Sequence, residues 1–106
     1  MKVKAFLVLA LLLGIFFANS VIAVKWALYE KGLENLKALF RSYGKVSRHD
    51  VYALISIATI DEPGKGSKII VEVDRYVSWK FRKSIEELSY PELLDLIHFI
   101  ECRLRN

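Results

Sequence analysis

The sequence predicts an α+β protein: an N-terminal transmembrane or signal helix, then an amphipathic helix, a β-hairpin and a C-terminal helix. Three patterns support this fold class. Residues 5–24 form a run of twenty residues without a charge. Apolar residues recur at helical spacing over 26–43, and the stretch 68–82 alternates between apolar and polar residues with the period of a strand.

The uncharged run has the length and composition of a membrane-spanning helix. Twenty residues at about 1.5 Å each make about 30 Å of helix, which is the thickness of the hydrocarbon core of a bilayer. Trp26 and Tyr29 follow the run directly, and such aromatic residues favour the membrane interface. We therefore predict a single-pass membrane anchor over residues 1–24.

The same segment also fits a cleaved signal peptide. Residues 1–4 form a basic start, and small residues ending near Ser20 or Ala23 match a cleavage site. In both interpretations the leading positive charges predict a cytoplasmic N-terminus and a small extracytoplasmic domain over 25–106. The sequence thus predicts a single-pass membrane protein, with secretion after cleavage near Ser20 or Ala23 as the alternative.

Size, charge and cysteine content limit what residues 25–106 can do. Without Lys2 and Lys4 the chain has 14 basic and 12 acidic residues, which is not the basic excess of a nucleic-acid-binding protein. Cys102 is the only cysteine, so no disulfide can form within the chain. A domain this short is marginally stable alone. We therefore expect the membrane and a protein partner or homo-oligomer as partners, and neither nucleic acid nor a cofactor.

Trp26–Tyr43 is predicted to be an amphipathic helix. Its apolar residues fall at alternating spacings of three and four, which places them along one face. Gly44 follows as a natural C-cap. This face either packs against the domain's own sheet or associates with another chain. It is the candidate interaction face, formed by Trp26, Tyr29, Leu33, Leu36, Phe40 and Tyr43.

Two segments are predicted to pair as a β-hairpin. Lys68–Arg82 has the alternation of a strand with one buried face, and five of the ten residues of Val51–Ile60 are β-branched. A strand needs a partner, and within this chain only Val51–Ile60 can supply one. Pro63 and Gly64 favour a turn between the two segments. Val51–Ile60 also has a helical alternative, because Ser47–Asp50 has the form of a helix cap.

Two Ser-x-x-Glu capping boxes, at Ser84–Glu87 and Ser89–Glu92, precede the C-terminus. The second opens a predicted final helix. The apolar face of this helix consists of Leu93, Leu96, Ile97, Ile100 and Leu104.

Asp95, His98 and Cys102 share one face of the predicted final helix. All three residue types bind metals. The chain offers no second ligand cluster, however, and a packed thiol beside a boundary imidazole explains the same pattern. We therefore predict no metal site, and no residue set in the sequence predicts a catalytic or cofactor-binding site.

Ile57–Phe81 resembles the segment around the catalytic glutamate of phage-type N-acetylmuramidases. In that family a helix ends in a V-E-S-G-G-x-G stretch, and a strand of the I-L-F-E-R-H type follows. Asp61 falls at the position of the catalytic glutamate, Pro63 replaces a glycine, and Tyr76 falls where the strand has histidine. The match covers about a quarter of the chain. The resemblance implies a cell-wall glycosidase that uses Asp61 or Glu62.

The sequence as a whole favours an interaction protein over an enzyme. The apolar stripe over 26–43 and the small size of the domain both favour a tail that binds another membrane or envelope protein. A self-assembling structural subunit and the muramidase-like glycosidase are the alternatives.

Overall fold

The computed structural model describes the backbone of residues 2–106 and the side chains of residues 22–106. Over residues 2–106 the chain forms four α-helices and one 3₁₀ turn, and no β-strand. The predicted α+β fold is therefore wrong. The helices are α1 (Lys2–Tyr43), α2 (Arg48–Ala58), α3 (Pro63–Phe81) and α4 (Tyr90–Arg105), and the 3₁₀ turn is Ile85–Glu87.

The C-terminal half of α1 forms an antiparallel bundle with α2, α3 and α4. Each helix packs against the next in the chain. Phe40 of α1 stacks on Tyr90 of α4, with ring centroids 5.4 Å apart, and so joins the first helix to the last. All four helices contribute buried side chains to a single apolar core. Its fully buried centre consists of Val51, Ile55, Val73, Leu93, Leu96 and Ile100.

α2 occupies the place of the first predicted strand. The Ser47 hydroxyl accepts a hydrogen bond from the Asp50 N–H (3.2 Å), and the Asp50 carboxylate accepts one from the Ser47 N–H (3.0 Å). Such a cap contributes about 1 kcal/mol to a helix. Burial of one helical face adds to this and outweighs the β-branched composition, so the helical alternative is correct. The buried residues of α2 are Val51, Leu54, Ile55 and Ala58.

α3 occupies the place of the second predicted strand. Val71 and Trp79 belong to the alternating pattern but are 49% and 76% exposed. The alternating pattern predicted a strand because the buried residues Ile69, Val73 and Val77 are four positions apart. A spacing of four fits the period of two of a strand as well as the repeat of a helix. Pro63, predicted as a turn residue, lies in the first turn of α3, where its missing N–H has no helical acceptor. The buried residues of α3 are Gly66, Ile69, Val73 and Val77.

Two glycines allow α2 to approach both of its neighbours closely. A Cβ added at Gly32 of α1 would lie 3.1 Å from Cδ1 of Leu54, and one at Gly66 of α3 would clash with the Thr59 hydroxyl. That hydroxyl is buried and donates a hydrogen bond to the Ile55 carbonyl (2.8 Å), which holds the Thr59 side chain in place. A methyl group at Gly66 would therefore force a shift between Thr59 and α3, whereas one at Gly32 would require the Leu54 side chain to move by a few tenths of an ångström.

The predicted helices over 26–43 and after Ser89 are confirmed. Gly44 ends α1 with φ at 73°, and its N–H donates to the Phe40 carbonyl (2.7 Å). Ser89 and Glu92 form the predicted capping box at the start of α4. The predicted apolar face of α4 is buried at Leu93, Leu96, Ile97 and Ile100.

The predicted single-pass membrane protein, with its cytoplasmic N-terminus and outer tail, is contradicted. Among the residues that the structure describes, no helix is both long enough and apolar enough to cross a membrane. Past Val24, α1 carries Lys25, Glu30 and Lys31, which end its uncharged run. Most of the predicted anchor or signal peptide, residues 1–21, lies outside the residues with described side chains.

Gly66→Ala is expected to lower the free energy of unfolding by about 1–3 kcal/mol, because the added methyl group overpacks the contact with Thr59. Gly64→Ala is the matched control on the same helix, since nothing lies within 4 Å of its added Cβ. The control is expected to raise stability by up to about 1 kcal/mol. Urea unfolding followed by circular dichroism measures both. Equal effects of the two substitutions would contradict the close contact between α2 and α3.

Candidate interaction surface

The predicted interaction face of α1 mostly points into the bundle. Tyr29 and Leu36 are 4% and 2% exposed, and Leu33 and Phe40 pack against the core. Only the two ends of the face reach the surface, at Trp26 and Tyr43. The chain's own helices therefore cover the middle of this face.

Exposed apolar side chains instead lie on two sides of α1 at the point where it enters the bundle. We call Ile22, Val24, Trp26 and Leu28 the apolar collar; these side chains are between 40% and 56% exposed. Positions four apart share one side of a helix and positions two apart lie on nearly opposite sides, so Ile22 and Trp26 face one side of α1 and Val24 and Leu28 face the other. Only Trp26 belongs to the predicted face. In the sequence, Ile22 and Val24 belong to the continuous uncharged run, and Leu28 lies off the predicted stripe.

One ion pair holds α1 at the point where the helix enters the bundle. Lys25, the only charged residue within the collar, binds Asp61 in the α2–α3 connection with a 3.1 Å contact. The Lys25 ammonium also lies 4.8 Å from the ring centroid of Trp26. Its hydrogen bond to Asp61 lowers the pKa of that carboxyl. The collar therefore carries no unpaired charge that would oppose contact with an apolar partner.

The local structure agrees with the muramidase resemblance before Asp61, where α2 ends, and differs from it after Asp61. The segment after Asp61 is α3, whereas the resemblance implies a strand that contains Tyr76. A catalytic acid in a glycosidase needs a raised pKa, but Lys25 lowers the pKa of Asp61. Asp61 therefore lacks the raised pKa of a general acid. Glu62 forms an ion pair with Lys65 at 3.7 Å.

Asp95 forms its hydrogen bonds with residues of α3 rather than with His98 or Cys102. Its carboxylate accepts hydrogen bonds from Lys80 Nζ (2.8 Å) and from the Tyr76 hydroxyl, and these lower its pKa. His98 and Cys102 lie on the exposed side of α4, with Nε2 and Sγ 3.7 Å apart. Within the described residues no group of three or more His, Cys, Asp or Glu side chains is placed to hold a metal ion.

A polar groove of about 420 Å³ lies between the start of α2 and the end of α3. The charged side chains along it are paired. Arg48 binds Glu86 at 3.0 Å and Lys83 binds Glu92 at 2.8 Å, which lowers the pKa of Glu92 to about 2. Asp74 accepts a hydrogen bond from the Tyr52 hydroxyl. The groove therefore offers a substrate no free charged cluster.

Among the residues with described side chains, none offers a hydrogen-bond partner to the buried hydroxyl of Tyr29. Burial raises the pKa of this phenol, and the charge of Glu101 on α4 raises it further. The edge of the Trp26 ring meets the Tyr29 ring, with centroids 5.7 Å apart. Tyr29 thus serves as a packing residue that links the collar to the core.

Comparison with known proteins finds no relative of this chain. No family model matches the chain, and no curated protein or solved structure is significantly similar to it. The function is therefore inferred from the chain's own surfaces.

Tyr29→Phe is expected to raise the free energy of unfolding by up to about 1 kcal/mol, because it removes an unpaired buried hydroxyl. Tyr52→Phe is the control, since it removes a hydroxyl that is bonded to Asp74. The control is expected to lower stability by about 0.5–1.5 kcal/mol. Chemical denaturation measures both variants. A destabilised Tyr29→Phe protein would mean that the Tyr29 hydroxyl has a partner.

Proposed function

We propose that this chain is an interaction protein whose helical bundle presents α1 to another polypeptide chain, with the apolar collar as the contact. The exposure of the collar carries the proposal. Four large apolar side chains lie at least two-fifths exposed within seven consecutive residues. A contiguous exposed apolar surface marks a site of interaction.

The shape of the collar indicates how a partner binds it. Because the collar occupies two nearly opposite sides of α1, a flat partner surface would leave one of them exposed. The collar therefore needs cover on both sides of α1. A second copy meets this need, because its own α1 requires the same cover.

Trp26 is the expected anchor of the contact. Tryptophan is enriched among the residues that dominate binding energy. Tyr29 and Lys25 hold the Trp26 ring from two sides, with centroid distances of 5.7 Å and 4.8 Å. The ring is thereby oriented before binding, which reduces the entropy that binding removes.

The other exposed large apolar residues support the choice of α1. Val71 and Trp79 lie on α3, Leu94 lies on α4, Ile60 follows α2 and Tyr43 ends α1. They are separated from one another along the chain, and scattered single apolar residues are normal on protein surfaces. The described part of α1 combines four such residues in two helical turns.

Replacing Val24 and Leu28 together by glutamate in the full chain is expected to weaken self-association at least tenfold. Covering a half-exposed side chain of this size contributes about 1 kcal/mol, half the value for complete burial. Loss of two such contributions exceeds the roughly 1.4 kcal/mol that corresponds to a factor of ten. Sedimentation equilibrium over a dilution series gives the association constant.

The matched control replaces Val71 and Trp79 by glutamate, which adds the same charge to exposed apolar positions of α3. It is expected to associate like the original chain. A photo-crosslinking residue at position 24 is expected to capture a second chain, and one at position 71 is not. A chain that stays monomeric and gives equal crosslinking at both positions would contradict the proposed function.

A further inference from the structure

The outer face of α4 carries two metal-binding side chains on successive turns. His98 and Cys102 are four residues apart and both are exposed, so they project side by side into solvent. The imidazole Nε2 lies 3.7 Å from the thiol Sγ. Neither side chain takes part in the apolar core.

This separation matches the spacing that a tetrahedral metal ion requires. Zn²⁺ lies about 2.0–2.1 Å from an imidazole nitrogen and about 2.3 Å from a thiolate sulfur, so a tetrahedral angle places the two atoms about 3.6 Å apart. The observed spacing agrees within about 0.2 Å, the tolerance expected for a metal site. The two ligands therefore need no rearrangement of the helix.

The backbone that carries the two ligands is held firmly. The opposite face of α4 is buried in the core, and Ser89 and Glu92 cap the start of the helix. A metal site gains precision when its ligands stand on such a rigid element. The pair is therefore preorganised as a two-ligand clamp.

The remaining ligands must come from outside this chain. Asp95 is the nearest carboxylate on the same face, but Lys80 and Tyr76 hold it. We propose that His98 and Cys102 bind a tetrahedral divalent cation of the Zn²⁺ type together with His98 and Cys102 of a second copy. The completed site is a Cys₂His₂ site between two α4 helices.

The surroundings of the pair are compatible with such a contact between copies. Leu94 lies one turn before His98 on the same face and is exposed, so it can pack beside the ion. Arg103 is directed away, because it binds Glu72 at 3.0 Å and lies 5.1 Å from the Phe99 ring. Each thiol releases its proton to solvent when the metal binds.

The test titrates Co²⁺ into the full chain under a phosphine reductant. The expected result is the strong visible spectrum of tetrahedral Co²⁺, a thiolate-to-cobalt charge-transfer band and one ion bound per two chains. Zn²⁺ is expected to displace the cobalt. Cys102→Ser and His98→Ala are expected to weaken Zn²⁺ binding at least about 100-fold. Removing a residue that only hydrogen-bonds to a metal ligand already weakens binding by up to about 100-fold. His49→Ala is the matched control and is expected to bind as before.

The experiment is carried out on the collar variant Val24→Glu/Leu28→Glu as well, so that association through α1 does not obscure the result. In that variant the metal is expected to double the mass in solution, and a chelator is expected to restore the original mass. The proposal is overturned by the absence of a tetrahedral spectrum, by a charge-transfer band that survives Cys102→Ser, or by one ion per chain without a change in mass.

Discussion

The packing of α2 against α1 and α3 organises the apolar core of the bundle. Gly32 of α1 and Gly66 of α3 lack the Cβ atoms that would meet Leu54 and Thr59. With the helices this close, Val51 and other residues at the centre of the core are shielded completely from water. Each buried side chain of this size contributes about 1.5–3 kcal/mol. Wider helix spacing would lose part of this contribution and leave cavities.

The bundle also determines which surfaces are left free for binding. Lys25–Asp61 and Phe40–Tyr90 hold α1 at two points, so the apolar collar lies where the cover from the other helices ends. α4 buries one face in the core and leaves His98 and Cys102 on the other. The collar and the proposed metal site are thus separate consequences of the same packing, and each is tested without the other.

Local signals made part of this structure predictable. The Ser89–Glu92 capping box and Gly44 mark helix ends through hydrogen bonds between near neighbours, and both predictions are confirmed. The β-hairpin failed because spacings of four at the buried positions of α3 also satisfy a period of two, and because burial outweighs the strand preference of Val51 and Ile55. The apolar collar could not be predicted from spacing, since its exposure depends on where the other helices end.

Backbone chemical shifts of the isotopically labelled full chain test the helical pair α2–α3 most directly, together with nuclear Overhauser effects between Thr59 and Gly66. Helical Cα shifts are expected throughout 48–58 and 63–81, with a cross-peak between the Thr59 side chain and the Gly66 backbone. Strand-type shifts over 68–81, with cross-strand contacts to 51–60, would contradict it and restore the β-hairpin.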